Sequence, residues 1–238
     1  MSGPAKRTYD DPCGIARALD LVGERWALLV VRDLVLGPKR FTDLRRGLRG
    51  ASQNVLSHRL RELEQAGVVL RRRLGPPAGT WVYELTEWGY DLEAVLLQLA
   101  RWGSRAPMTS DGELGAEAFI LALRTTFDPY AAGELRARYE LRLGADRFHA
   151  EVSGGRIELA RGRADRPDAT LETDLATLRA LVFGGRPLAD AVRSGDLTLE
   201  GDQETVARFV ALFPRPSPVR DPGGSPAGPG SETVAEVP

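Results

Sequence analysis

Residues 52–67, SQNVLSHRLRELEQAG, run straight into residues 68–85, VVLRRRLGPPAGTWVYEL, and the change of period between them decides the fold. Projected at 3.6 residues per turn, the first stretch places Val55, Leu56, Leu60 and Leu63 on one broad face and Asn54, Ser57, His58 and Arg61 on the opposite one. Ser52 can cap such a helix and Gly67 can close it. The second stretch reads as two strands, Val68 to Leu74 and Trp81 to Leu85, joined by GPPAGT, whose Gly and Pro residues suit a hairpin loop and forbid helix.

Upstream, Asp11 followed by Pro12 is placed to start a helix carrying Ile15, Leu19 and Val22 on one face. A second helix from Glu24 has a stripe of Trp26, Leu29, Val30 and Leu34 that Gly37 and Pro38 end, and Phe41, Leu44 and Leu48 mark a short third. Downstream, Thr86 caps a helix with Leu92, Val95, Leu96 and Leu99 on one side. The predicted order over residues 11–103 is four helices, a hairpin and a fifth helix. Residues 104–115 are small and polar and read as a linker. Residues 116–213 mix helices with strands at Arg138–Leu143, Phe148–Val152, Arg156–Ala160, Ala169–Thr173 and Leu197–Leu199, an α+β pattern. Residues 1–10 read as a flexible start, and residues 214–238, dominated by Pro, Gly and Ser, as a disordered tail.

The chain has 238 residues with 42% hydrophobic content, which excludes collagenous and wholly disordered classes. Its net charge of −1 conceals an asymmetry. Residues 1–105 hold 17 basic and 12 acidic side chains, a net of +5, and the remainder holds 15 and 21, a net of −6. Two domains with different partners follow from that split. Cys13 is the single cysteine and has no intramolecular partner, and no apolar run is long enough to span a bilayer. The N-terminus lacks a signal-peptide stretch, so a cytoplasmic protein with no membrane partner is expected. No GxSxG, Walker A or CxxC motif occurs, and His58 and His149 are the two histidines. These absences predict no enzyme, no catalytic residues, no metal and no cofactor.

The polar face of residues 52–67 carries groups that bond base edges or phosphates. Asn reads adenine bidentately, Arg reads guanine, and Ser suits either. Gln53, Asn54, Ser57, His58 and Arg61 are therefore candidate base readers, although a solvated polar face explains that helix alone equally well. Its flanks favour a nucleic-acid surface. Lys39, Arg40, Thr42, Arg45 and Arg46 precede it, while Arg71, Arg73 and Thr80 follow on the hairpin, as phosphate contacts would. Strand alternation sends Arg72 to the other face.

With these residues in place, ALDLVGERWALLVVRDLVLGPKRFTDLRRGL (residues 18–48), the helix SQNVLSHRLRELEQAGVV and the hairpin segment GPPAGTWVYELTEWG resemble the HxlR-type bacterial transcriptional regulators, relatives of the MarR type. The resemblance implies a winged helix-turn-helix that dimerises through its terminal helices. It further implies binding of a palindromic double-stranded operator with the fourth helix in the major groove. Val22 stands where the family pattern has the first of two glycines, a departure that affects packing. Trp26, Trp81, Trp88 and Trp102 read as core or dimer-interface aromatics. Cys13 reads first as a small buried hydrophobe. The resemblance adds a second reading, a redox or electrophile sensor.

Residues 169–213, ATLETDLATLRALVFGGRPLADAVRSGDLTLEGDQETVARFVALF, together with YELRL, FHAEV and GRIELA, resemble the sterol carrier protein type 2 family over about Ala116 to Phe213. That resemblance implies a five-stranded sheet covered by helices, and an apolar cavity for a lipid-like small molecule. Phe119, Leu123, Leu178, Leu181, Val182, Phe183, Val192 and Phe209 are the candidate lining residues, with ordinary core as the alternative. The expected function is a homodimeric DNA-binding regulator modulated by an apolar ligand. The alternatives are a lipid carrier or sensor whose helical domain is a dimerisation platform, and a sensor acting through Cys13.

Overall fold

The structure is a computed structural model, and it describes residues 8–107, 112 and 114–219. The predicted flexible start therefore lies outside the described residues over 1–7, the linker over 108–111 and 113, and the tail over 220–238.

The first half begins with α1 (Gly14–Val22), α2 (Ala27–Leu34), α3 (Phe41–Gly47) and α4 (Gln53–Gln65). The antiparallel hairpin β1 (Val69–Arg73) and β2 (Trp81–Leu85) follows, and then α5 (Glu87–Gly103). The order is that of a winged helix-turn-helix. Two starts are later than the sequence predicts. Asp11 does not cap α1; its carboxylate accepts the Cys13 N–H at 2.9 Å in a local turn, and Cys13 becomes the N-cap. Glu24 opens a turn rather than α2, with the Ala27 N–H bonded to the Glu24 carbonyl at 3.0 Å. Trp26 then sits at φ 79°, left-handed backbone that a bulky residue rarely adopts. A Cβ on Gly50 would lie 2.7 Å from the Trp26 ring, so Gly50 leaves room for that indole.

Both decisive caps form. Ser52 Oγ accepts the Val55 N–H at 3.3 Å, and Thr86 Oγ1 accepts the Gly89 N–H at 3.0 Å. The Thr86 hydroxyl also donates to the Gly67 carbonyl at 2.6 Å, tying the start of α5 to the end of α4. The core beneath contains Val30, Val31, Leu34, Leu44, Leu56, Leu60, Leu63 and Leu85.

The second half contains α6 (Ala116–Thr126), α7 (Pro129–Ala132), β3 (Ala137–Leu143), β4 (Asp146–Ser153), β5 (Arg156–Arg161), β6 (Ala169–Thr173), α8 (Leu175–Val182), α9 (Leu188–Arg193), β7 (Leu197–Gly201) and α10 (Gln203–Ala211). One mixed sheet runs β5-β4-β3-β6-β7, with β3 and β6 parallel and the other neighbours antiparallel. The five predicted strands are present, whereas the single turn of α7, capped by Asp128, was not legible. Tyr139, Leu141, Phe148 and Leu171 line the sheet face that the helices cover. The other face is charged. On it Arg142 holds Glu140 at 2.8 Å and Glu200 at 2.9 Å, and the Arg142 hydrogen bond keeps the Glu140 carboxyl below its usual range.

Two features join the halves. Leu121 of α6 belongs to the first core, while Leu36 packs against the second. The stretch read as the start of a disordered tail also returns to the junction. The Val219 N–H donates to the Arg105 carbonyl at 3.0 Å, and Arg105 Nε donates to the Ser217 carbonyl at 3.4 Å. A Pro-rich segment can be ordered this way because the partner backbone satisfies its few remaining polar groups. Among the described residues no helix is long and apolar enough to cross a membrane.

Gly89 fixes the approach of α5 to the hairpin: a Cβ there would meet the Val68 carbonyl oxygen at 2.1 Å. Gly89→Ala should therefore cost about 1–3 kcal/mol, the range for overpacking. Urea unfolding of the two proteins checks this, and equal midpoints would show that the backbone yields freely.

Candidate nucleic-acid interface

α4 buries Leu56, Leu60 and Leu63 and exposes Gln53, Asn54, His58 and Arg61, with Ser57 half-buried. Val55, predicted on the apolar face, is instead exposed. It lies about 100° around the helix from Leu56, just outside the buried arc. Arg59 occupies that arc and was missed by the sequence reading. It is buried, and its guanidinium reaches out to Glu62 and, at 3.5 Å, to Glu24. A stretch of methylenes capped by a paired charge behaves as a core side chain here.

The candidate readers have partners within the chain. Arg45 Nη1 donates to Gln53 Oε1 at 3.2 Å, fixing the first residue of α4 to α3. Arg61 Nε donates to the Ser57 carbonyl at 3.3 Å, and His58 Nε2 lies 3.4 Å from Glu62 Oε1. Such exposed contacts are weak and exchange readily for a stronger ligand.

Arg40, Thr42, Arg45, Arg71 and Arg73 are exposed on the segments that flank α4 in the chain, and Thr80 is half-buried at the hairpin tip. Arg73 Nε donates to the Gly79 carbonyl at 2.8 Å, and the Thr80 carbonyl accepts the Leu74 N–H at 2.8 Å, so both shape the hairpin end. Arg72 pairs with Glu84 on the other face. Lys39 departs from its predicted role: its ammonium is 2.7 Å from Glu117 of α6 and turns into the second half. Trp81 departs too. It is 51% exposed on the hairpin, with the Arg71 guanidinium stacked 4.7 Å from its ring centroid, and so is not a core side chain. Register explains the stack, because Arg71 pairs with Tyr83, and Trp81 lies two residues along β2 on the same face.

A second set of exposed side chains is apolar. Along α5, Trp88, Leu92, Val95, Leu99 and Trp102 follow alternating steps of four and three residues, the spacing of a coiled-coil seam. Trp102 is 73% exposed and Trp88, Val95 and Leu99 are also exposed; on α1, Ile15 at 73% and Leu19 are exposed too. The sequence reading placed Ile15 and Leu19 on a common face with Val22, yet Val22 alone of these is buried.

Cys13 is exposed, against the reading of a buried hydrophobe. No capping hydrogen bond to the sulfur forms, but the free N–H groups of Ala16 and Ile15 at the start of α1 hold the thiol below its ordinary value. His58 and His149 lie in separate halves, and among the described residues no group of three His, Cys, Asp or Glu side chains could hold a metal ion.

In the second half, Phe119, Leu123, Leu178, Leu181, Val182 and Phe209 are buried core side chains, and Phe183 packs against them with its ring centroid 5.9 Å from that of Phe119. Val192 faces outward at 39% exposure. The clefts on this half open at its surface and are lined by other residues.

Residues 21–111 match the family described as HxlR-like helix-turn-helix. The HTH-type transcriptional regulator YodB of Bacillus subtilis is 38% identical over 88 residues, which span 37% of this chain and 79% of YodB. The chain belongs to the HxlR-like helix-turn-helix family. An uncharacterised HTH-type transcriptional regulator of Mycobacterium tuberculosis is 43% identical over 89 residues, and the chain spans 56% of that relative's length. Among solved structures, the redox regulator HypR in its oxidised form is 35% identical over 38% of this chain and 94% of that one, with a TM-score of 0.36. Beyond the HxlR-like part, residues 112–219 match the family described as alkyl sulfatase C-terminal. The match for this half is thus to that family rather than to the sterol carrier proteins, while its five-stranded α+β architecture is the predicted one.

The position of Cys13 makes a direct prediction. Alkylation by iodoacetamide, followed by mass spectrometry as a function of pH, should show a midpoint below that of the same cysteine in the urea-unfolded chain. A midpoint at or above that value would mean that the helix start does nothing to the thiol.

Proposed function

We propose that this chain is a DNA-binding transcriptional regulator that acts as a homodimer on a palindromic operator. The observation that carries this reading is the outward face of α4, where Gln53, Asn54, His58 and Arg61 stand exposed between basic residues of α3 and of the hairpin. In this reading α4 enters the major groove, Asn54 and Arg61 read base edges, and Arg40, Arg45, Arg71 and Arg73 bind phosphates. The named relatives are HTH-type transcriptional regulators, which supports the assignment. The exposed apolar seam of α5 supports dimerisation, since exposed apolar side chains at coiled-coil spacing mark a partner surface. A two-fold dimer would read half-sites about one helical turn apart. The chain would then be a regulator and not an enzyme.

The exposed Cys13 supports a sensing input, and HypR is named a redox regulator. With one thiol per chain, oxidation would yield a mixed or intersubunit disulfide. The filled core around Phe119 and Phe209 weighs against lipid carriage as the main role.

Gel shift and salt-dependence measurements with a duplex that the full chain selects from a random pool test the DNA reading. Asn54→Ala should change which base is preferred and cost about 1–3 kcal/mol of discrimination. Arg40→Ala should weaken all sequences alike and reduce the salt slope by about one. If the chain selects no duplex, the reading fails. For the seam, Val95→Asp should convert a dimer to a monomer in sedimentation velocity and weaken operator binding with it; a variant that stays dimeric would place the subunit contact elsewhere.

A further inference from the structure

Lys39 stands next to the exposed Arg40 at the start of α3, yet its side chain is turned away into the second half. Its partner Glu117, in the first turn of α6, is 9% exposed. Burial alone would push that carboxyl up, but the hydrogen bond and charge of Lys39, with Arg161 beside it, leave it below the usual carboxylate range. Arg161 pairs with Glu117 and also holds Asp146 at 2.6 Å. The four residues form a chain of alternating charge across the junction, from the helix-turn-helix to the sheet.

We infer that Glu117 is a positioning residue for DNA contact: by pairing with Lys39 it withholds one cation from the phosphate-facing surface, and its release of Lys39 adds that cation to the interface. The inference rests on the DNA reading above and assigns the second half a role in it.

Three observations carry it. First, removing Lys39 does not orphan the carboxylate, because Glu117 retains Arg161; breaking a buried pair is costly when a charge is left uncompensated, and here it is not. Second, the move is confined to a side chain. The Lys39 N–H donates to the Tyr83 carbonyl at 2.9 Å and its carbonyl accepts the Tyr83 N–H at 2.8 Å, so the backbone stays fixed to the hairpin while the flexible stem swings. Third, the pair is reached by solvent. Lys39, Glu117, Asp146 and Arg161 all line a cleft of about 740 Å³ between the halves, so that ions and water can replace the contact.

A salt series of duplex affinity tests this, using the full chain and a duplex it has selected from a random pool. Glu117→Gln should steepen the slope of log K against log salt by about 0.9, one further phosphate contact, with several-fold tighter binding at low salt. Lys39→Met in the wild-type background should leave the slope unchanged, and Lys39→Met combined with Glu117→Gln should return it to the wild-type value. A purely structural role for Glu117 would change affinity or melting temperature without moving the slope. An unchanged slope in a folded Glu117→Gln protein overturns the inference, as does a slope lowered by Lys39→Met alone, which would mean that Lys39 already touches phosphate. Should Glu117→Gln fail to fold, the Lys39→Met slope decides. Failure to select any duplex would remove the DNA reading itself, an outcome distinct from selection with an unmoved slope.

Discussion

The burial of α6 between two cores is the constraint on which the arrangement of this chain depends. Phe119, Ile120 and Leu123 lie on one side of the helix and enter the core of the sheet domain. Glu117, Leu121 and Arg124, spaced as successive turns of one stripe, face the helix-turn-helix. Leu121 completes the first core, Glu117 takes Lys39, and Arg124 pairs with Glu93 of α5. A helix with one apolar face could be shed from its neighbour at little cost. A helix sharing side chains with both cores cannot move without opening apolar surface to water, at about 25 cal/mol for each Å² exposed.

The charge asymmetry takes on physical meaning in that light. A basic half and an acidic half attract across their junction, yet its ion pairs run in both senses: Lys39 of the basic half meets Glu117 of the acidic one, whereas Arg124 of the acidic half meets Glu93 of the basic one. The remaining basic groups near α4 stay exposed. Long-range attraction between the halves is screened beyond about 8–10 Å at ordinary salt. Short, partly buried contacts therefore matter more to this junction than the net charges of +5 and −6 that residues 1–105 and the remainder carry from 17 basic against 12 acidic and 15 against 21.

Much of the fold was legible where the determining interaction is local. The caps at Ser52 and Thr86 each bond an amide three residues on, and β4 shows period-two alternation. Local pattern is silent where distant residues decide. Trp26 has left-handed backbone, and the room for its ring is left by Gly50, far along the chain. Periodicity could not separate Val55 from the buried face or place Arg59 within it, since the width of the buried arc is set by what packs against α4. Lys39 looked like any cation before a reading helix. Its partner lies beyond the linker, and no spacing rule connects the two. The outward residues of α4 were legible for the opposite reason: their exposure follows from the apolar residues that alternate with them.

The hairpin shows how these levels join. Arg71 stacks on Trp81, and Tyr83 lies on the same face with its ring centroid 5.9 Å from the same guanidinium, so the strand face beside α4 is stiffened by cation–π contacts. The backbone of Tyr83 is bonded in both directions to Lys39, and Thr86, just past β2, is bonded to the end of α4. Hairpin, α3 and α4 are therefore linked through backbone hydrogen bonds and not through loops alone, and the residue at the centre of that linkage, Lys39, carries the ion pair to the second half. α6 thus meets the first half in two ways: Glu117 holds the flexible Lys39 side chain beside the hairpin, while Leu121 enters the same core as Leu56, Leu60 and Leu63 of α4. The ion pair can exchange without moving a helix, whereas the shared core cannot open without exposing apolar surface.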